Sequence, residues 1–185
     1  DELMFGVALS LYLAWVDNMF YSAKIVERSW SPFQGLGAVE ILYYVSIVTL
    51  FALLCFLAWR GSAVDRVLYS PRMCTAGAVG MVLSTLLILT TIPGGVIEAI
   101  AIPLAGVLSA LASGVCLIQW SRLASGLDYR GIVITGALGY VLAKVIVVFA
   151  QAVGYTIRVD VVAAIMVMTM LNCLFAAGSG LMFRM

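Results

Sequence analysis

Four charged side chains lie inside long apolar runs of the sequence or at their ends, where a charge is costly if the run is in lipid. Asp17 and Lys144 lie well inside such runs, whereas Glu40 and Glu98 lie near the start of theirs. Carboxylates and an ammonium at similar depth can bind a small polar ligand or an ion. We therefore predict a ligand or ion cavity at these four residues. The structural alternative is an ion pair with two glutamates that reach the headgroups.

Other chemically reactive groups are scarce. The sequence has no histidine, so imidazole is excluded as a general base, a proton relay or a metal ligand. All four cysteines lie in apolar runs without the spacing of a metal or redox motif, and we interpret them as packing residues. Paired carboxylates at catalytic spacing and nucleophile motifs are also missing from the sequence. We expect no enzyme activity, no catalytic residue, no metal and no cofactor.

Long apolar segments must position these charges. Of the 185 residues, 64% are hydrophobic and 10% are charged, whereas soluble domains have about 45–50% apolar and about 25% charged residues. A helix needs about 20 apolar residues to cross a bilayer, and lipid cannot satisfy open backbone groups. We predict an all-α integral membrane domain with six transmembrane helices: Leu3–Ala23, Gly37–Trp59, Arg72–Thr91, Gly95–Trp120, Gly131–Val153 and Val161–Met182.

The basic residues predict the orientation of such a domain. With six crossings, both termini and the second and fourth connections share one side, which holds Arg60, Arg66, Arg72, Arg122, Arg130 and Arg184. The opposite side holds Lys24, Arg28 and Arg158. The positive-inside rule then favours cytoplasmic termini. The net charge is +1 without any Lys/Arg-rich run, so we expect these residues to contact lipid and not nucleic acid.

Asp17 and Lys144 have matching predicted depths. At about 1.5 Å per residue, they lie roughly 21 Å and roughly 20 Å from the cytoplasmic starts of the first and fifth helices. If these helices touch, the two charges can pair. Thr135, Gly139 and Ala143 repeat every four residues on the fifth helix, and such small residues let helices approach closely.

The second connection carries a short motif, in which Gly61 is followed four residues later by Asp65 and Arg66. This motif resembles the cytoplasmic loop signature of the major facilitator superfamily, although Leu68 stands where the family has a second Gly. The resemblance implies a facilitator-like half with two three-helix repeats, and hence part of a transporter for a small solute whose second membrane half lies outside this chain. An ordinary solvated loop is the alternative.

Segments of the first and fourth helices, Leu11–Trp15, Gly106–Ala110 and Cys116–Leu123, resemble the membrane region of bacterial membrane-anchored LuxR-type regulators. Those proteins place a facilitator-like membrane region before a C-terminal helix-turn-helix DNA-binding domain. The resemblance implies a region of the bacterial inner membrane that senses a small-molecule ligand for a transcription regulator. Because the chain begins with Asp1 and ends directly after an apolar run, we expect a fragment whose output domain lies outside it.

Overall fold

The computed structural model describes residues 2–20, 37–60, 70–90 and 96–156, together with the single positions 174 and 178. These ranges contain five α-helices and no strand, which confirms the predicted all-α class. The helices are α1 (Glu2–Phe20), α2 (Ala38–Arg60), α3 (Pro71–Thr90), α4 (Val96–Ala124) and α5 (Tyr129–Thr156). Apart from positions 174 and 178, the predicted sixth segment lies outside the described residues.

Local sequence explains where three of the helices begin. At the start of α2, the carboxylate of Glu40 accepts a hydrogen bond from the backbone N–H of Gly37, one of the donors that a helix start leaves open. Pro71 occupies the first position of α3, where its missing N–H costs no hydrogen bond. Asp128 precedes α5 and accepts a hydrogen bond from the N–H of Gly131 at 2.8 Å, as a capping residue does.

Three helices are long and apolar enough to cross a membrane, over Glu40–Arg60, Ala99–Arg122 and Tyr129–Ala150. α3 contributes a shorter apolar stretch, Arg72–Ile88. These segments support a membrane protein by length and composition. The prediction of six crossings is not supported, because only three of the described helices qualify. α1 has 19 residues and α3 has 20, close to the roughly 20 that a crossing needs, so neither has residues to spare.

α4 is the central helix of the described bundle. It packs along both α2 and α3, while α1 packs along α5. In the apolar stretch of α4, 61% of the residues are buried, against 17% for α2 and 22% for α5. α2 and α5 therefore present most of their apolar surface to the outside, as expected of helices that face lipid.

α1 and α5 run parallel to each other at close range. Gly6 lies against Thr135, and further along both helices Leu9 lies against Gly139. A Cβ atom at Gly139 would lie 3.1 Å from the Leu9 side chain, so a larger residue here would have to displace Leu9. The predicted ladder of small residues on α5 thus lies in the interface with α1.

α2 and α4 are also parallel, and glycines of α4 bring them together. Gly106 lies against the backbone carbonyl of Leu42, and Gly114, two turns later, lies against the Leu53 side chain. Without Cβ atoms at these positions the two backbones can approach closely.

α3 runs in the opposite direction along α4. Gly77 lies against Val115, whereas the later Gly80 lies against the earlier Leu108. The consecutive helices α3 and α4 are therefore antiparallel. The contacting pairs α1–α5 and α2–α4, whose members are four and two helices apart in chain order, are parallel. A chain that crosses a layer back and forth produces this pattern.

Buried polar side chains connect the helices inside the bundle. Trp15 of α1 donates a hydrogen bond from Nε1 to Thr85 Oγ1 of α3 at 3.0 Å. Ser46 of α2 donates to the carbonyl of Gly106 at 3.0 Å, and its Oγ lies 3.0 Å from Ser109 Oγ of α4. Buried polar atoms that are hydrogen-bonded in this way avoid the cost of desolvation.

Candidate functional site

The structure brings Asp17 and Lys144 into direct contact across the α1–α5 interface. Lys144 Nζ lies 2.7 Å from Asp17 Oδ2, a distance at which the ammonium donates a charge-assisted hydrogen bond to the carboxylate. Beside the pair, Ala14 packs against Ala143 and Val147. These small side chains let α1 and α5 approach closely enough for the charged groups to meet.

The ion pair forms part of the wall of a cavity of about 420 Å³, a volume within the range of about 300–1,000 Å³ that is typical of small-molecule sites. Two helices supply its lining, with Leu13, Val16 and Asp17 from α1 and Tyr140, Ala143 and Lys144 from α5. The lining thus combines one carboxylate, one ammonium and one phenol with three apolar side chains.

The two charges are open to their surroundings to different degrees. The Lys144 side chain is 47% exposed and the Asp17 side chain is 20% exposed. The pair is therefore not enclosed in the core, and a molecule in the cavity can reach both groups.

Tyr140 lies one helical turn before Lys144 on α5. The Lys144 Nζ atom lies 5.5 Å from the centroid of the Tyr140 ring, within the distance of about 6 Å at which an ammonium is attracted to an aromatic face. The aromatic ring thus gives the ammonium a second favourable contact besides the Asp17 carboxylate.

Of the four charged residues predicted for the cavity, the structure brings together two. Glu40 is exposed at the start of α2, where its carboxylate accepts the Gly37 N–H, and it does not line the cavity. Its carboxylate is hydrogen-bonded locally at the helix start, and a shared ligand site with Asp17 stays a prediction. Glu98 belongs to the first turn of α4, and its side chain is outside the described part of the structure. The loop motif Gly61, Asp65 and Arg66 also lies outside the described residues.

Another cavity, of about 150 Å³, lies where α1, α2 and α4 meet, and the sequence analysis did not predict it. Its lining is largely apolar but includes four hydroxyl groups, from Tyr12, Tyr43, Ser46 and Ser113. Val16 lines both cavities. Serines inside apolar runs are the sequence signal that could have indicated this cavity.

Asn18 follows Asp17 on α1 and is completely buried. Among the described residues, neither its Nδ2 nor its Oδ1 atom has a hydrogen-bond partner. An amide buried in this way is costly, because both of its polar atoms have lost water.

Comparison with protein-family models, with curated proteins and with solved structures gave no significant match. The function is therefore inferred from the geometry of the site together with the sequence motifs.

Proposed function

We propose that this chain is the membrane-embedded, ligand-sensing region of a bacterial LuxR-type transcription regulator. Its ligand would bind in the cavity beside Asp17 and Lys144, and its DNA-binding domain would lie outside these residues. The domain would sit in the inner membrane with both termini in the cytoplasm, as the distribution of Lys and Arg favours.

The observation that carries the proposal is an open ion pair between apolar helices. A pair that only held two helices together could be replaced by apolar side chains, often with a gain in stability. Charged residues within membrane segments more often mark the paths or sites of polar ligands. With Lys144 47% exposed beside a 420 Å³ cavity, this pair is placed to exchange its partner for a ligand.

The pairing of the helices matches what two inverted repeats of three helices would produce in a facilitator-like half. Such symmetry exchanges helices one and four, two and five, and three and six. It turns the α1–α5 contact into the α4–α2 contact, and both are observed. It also turns the α3–α4 contact into a contact between helices six and one, and Gly178 lies against Leu11 of α1.

Sensing requires that a ligand distinguish two arrangements of the bundle, because it shifts their equilibrium only through its difference in affinity. The ligand cavity lies between α1 and α5, and α1 is hydrogen-bonded to α3 through Trp15 and Thr85. A ligand that changes the position of α1 relative to α5 would therefore move the contact between α1 and the rest of the core.

The alternative is one six-helix half of a facilitator-type transporter for a small solute. The same exchange symmetry of helix contacts favours it. Substrate would then bind between this half and a second one outside the chain. The fourth segment lacks an Arg of the kind that proton-coupled members of the superfamily usually carry there, which favours the sensor.

To test the proposal, the full-length protein is expressed in bacterial cells that carry a reporter gene behind the promoter of the protein's own gene. An array of defined carbon and nitrogen sources is screened for compounds that change reporter output. Asp17→Asn and Lys144→Met should abolish the response, whereas Phe149→Leu should keep it, because Phe149 is 69% exposed on α5 and does not line the cavity.

Uptake of the same compounds into liposomes that contain the full-length protein separates the two functions. Uptake without any reporter response would support the transporter. A full-length polypeptide without a DNA-binding domain, or a response that survives both cavity substitutions, would contradict the sensor.

A further inference from the structure

We infer that the cavity beside Asp17 and Lys144 takes a small zwitterion, a molecule with an ammonium and a carboxylate attached to the same carbon and an apolar or aromatic side chain. This inference rests on the proposed function and specifies the chemical class of its ligand.

The charges of the site carry the first step. The described residues that line the cavity include one carboxylate and one ammonium, 2.7 Å apart, whose charges cancel. A ligand with only a negative charge would have to bind Lys144 in competition with Asp17 and leave that carboxylate without its partner. A ligand with only a positive charge would bind Asp17 in competition with Lys144 and break the ion pair in the same way. Either ligand breaks the Asp17–Lys144 pair and forms only one ion pair in its place, and removing one partner of such a pair is costly. A singly charged ligand is therefore disfavoured.

A zwitterion avoids this cost. Its carboxylate can accept hydrogen bonds from Lys144 while its ammonium donates to Asp17. One ion pair between helices becomes two ion pairs between protein and ligand, and no charge is left uncompensated. Because the two residues belong to different helices, the ligand would bridge α1 and α5.

The remaining lining specifies the rest of the ligand. Leu13, Val16 and Ala143 offer an apolar wall, and Tyr140 offers an aromatic ring beside the ammonium. The Tyr140 ring can pack against a ligand side chain in an edge-to-face or offset arrangement, as aromatic pairs prefer. Leucine-like and phenylalanine-like molecules match this wall, whereas a ligand with a second charge on its side chain finds no partner for it among these six lining residues.

Insertion of the zwitterion separates the Asp17 carboxylate from the Lys144 ammonium. The free and ligand-bound states then differ in the distance between α1 and α5 at this level. This difference is the structural change that a cytoplasmic output domain would read.

The experiment measures thermal unfolding of the full-length protein in lipid nanodiscs with five probes. Three are zwitterions (L-alanine, L-leucine and L-phenylalanine), and two are singly charged analogues of the last (phenethylamine and 3-phenylpropanoate). We expect L-leucine and L-phenylalanine to raise the melting temperature, and the amine and the acid to bind at least tenfold more weakly than L-phenylalanine. Asp17→Asn and Lys144→Met should each weaken binding roughly tenfold to hundredfold, the value of a hydrogen bond to a charged group. Phe149→Leu should not change it.

The probe series in the unmodified protein decides the inference even if a variant does not fold. If none of the three zwitterions binds, or if the amine or the acid binds as tightly as L-phenylalanine, the inference is overturned. If one singly charged analogue binds as tightly as L-phenylalanine and its binding is lost in Lys144→Met or Asp17→Asn, the cavity is still a ligand site. The proposed function would then stand, whereas the inference that the ligand is a zwitterion would fail. If no reporter response from the nutrient array depends on these residues, the proposed function fails as well.

Discussion

Replacing Asp17 with Asn and Lys144 with Met, singly and together, measures how much their ion pair stabilises the contact between α1 and α5. Asn keeps the shape of Asp without its charge, and Met keeps most of the length of Lys without its ammonium. The pair is a single contact of 2.7 Å, with side chains 20% and 47% exposed. Fully exposed pairs contribute about 0–1 kcal/mol, and breaking a buried pair costs about 3–5 kcal/mol. This pair lies between those limits, so each single substitution should lower the free energy of unfolding by about 1–3 kcal/mol.

The double variant gives a sharper value than either single one. Each single variant removes the ion-pair partner of the remaining charge, whereas the double variant removes both charges. We therefore expect the double variant to be more stable than the sum of the single effects predicts, with a coupling free energy of about 1–2 kcal/mol.

The assay is reversible unfolding of the purified protein in mixed micelles with increasing SDS. Phe149→Leu, on an exposed face of the same helix, controls for general effects of substitution in α5. If the double effect equals the sum of the single effects within about 0.5 kcal/mol, the two charges do not interact and the α1–α5 arrangement argued from them is refuted. A charge-reversed variant, D17K/K144D, should recover part of the lost stability.

Three further predictions test the packing and the membrane embedding of the helices. Gly106→Leu should lower the free energy of unfolding by about 1–3 kcal/mol, because a Cβ at Gly106 already meets the backbone of α2. Gly136→Leu should cost little, because the space around Gly136 is open. Equal losses of stability in the two variants would contradict the α2–α4 packing. Thr85→Val should lower the free energy of unfolding by about 1–3 kcal/mol by removing the hydroxyl that accepts from Trp15 Nε1, while Thr85→Ser should lose much less; equal losses in Val and Ser variants would refute a role for the hydroxyl. Cys55 is exposed but lies inside the apolar stretch Glu40–Arg60. In a variant with the other cysteines replaced by Ala, a membrane-impermeant maleimide should therefore label Cys55 only after SDS treatment. Labelling in intact membranes would contradict a crossing by α2.

The sequence predicted the helices well and their ends less well, for a physical reason. Hydropathy follows the apolar stretch, whereas a helix ends where its hydrogen bonds end. The fourth segment was predicted to end at Trp120, but α4 continues through polar residues to Ala124. α5 begins two residues before the predicted Gly131, because Asp128 caps it.

The ion pair could be predicted because depth along a helix is fixed by residue count alone. Which helices touch is not fixed in this way, so the cavity at α1, α2 and α4 was missed. The position of this cavity depends on α4 being the central helix. Small residues occur every four positions along the face of α4 toward α2 and the cavity, at Gly106, Ala110 and Gly114, and they allow this close packing. The same spacing was recognised on α5 but not on α4. The depth of Glu40 likewise follows from residue count, whereas the local hydrogen bond of its carboxylate does not.

The α1–α5 interface does not depend on charge for its close approach. Gly6 lies about three turns before Asp17 on α1, and Gly139 lies about one and a half turns before Lys144 on α5. Ala14 packs against Ala143 beside the ion pair. A ligand can therefore exchange the ion pair without separating the helices along their whole length. The few kcal/mol expected from the pair are large enough to bias two arrangements of the bundle and small enough for a small ligand to offset. Packing thus holds α1 and α5 together, while the ion pair between Asp17 and Lys144 adjusts their arrangement. Such an interface is suited to respond to a ligand.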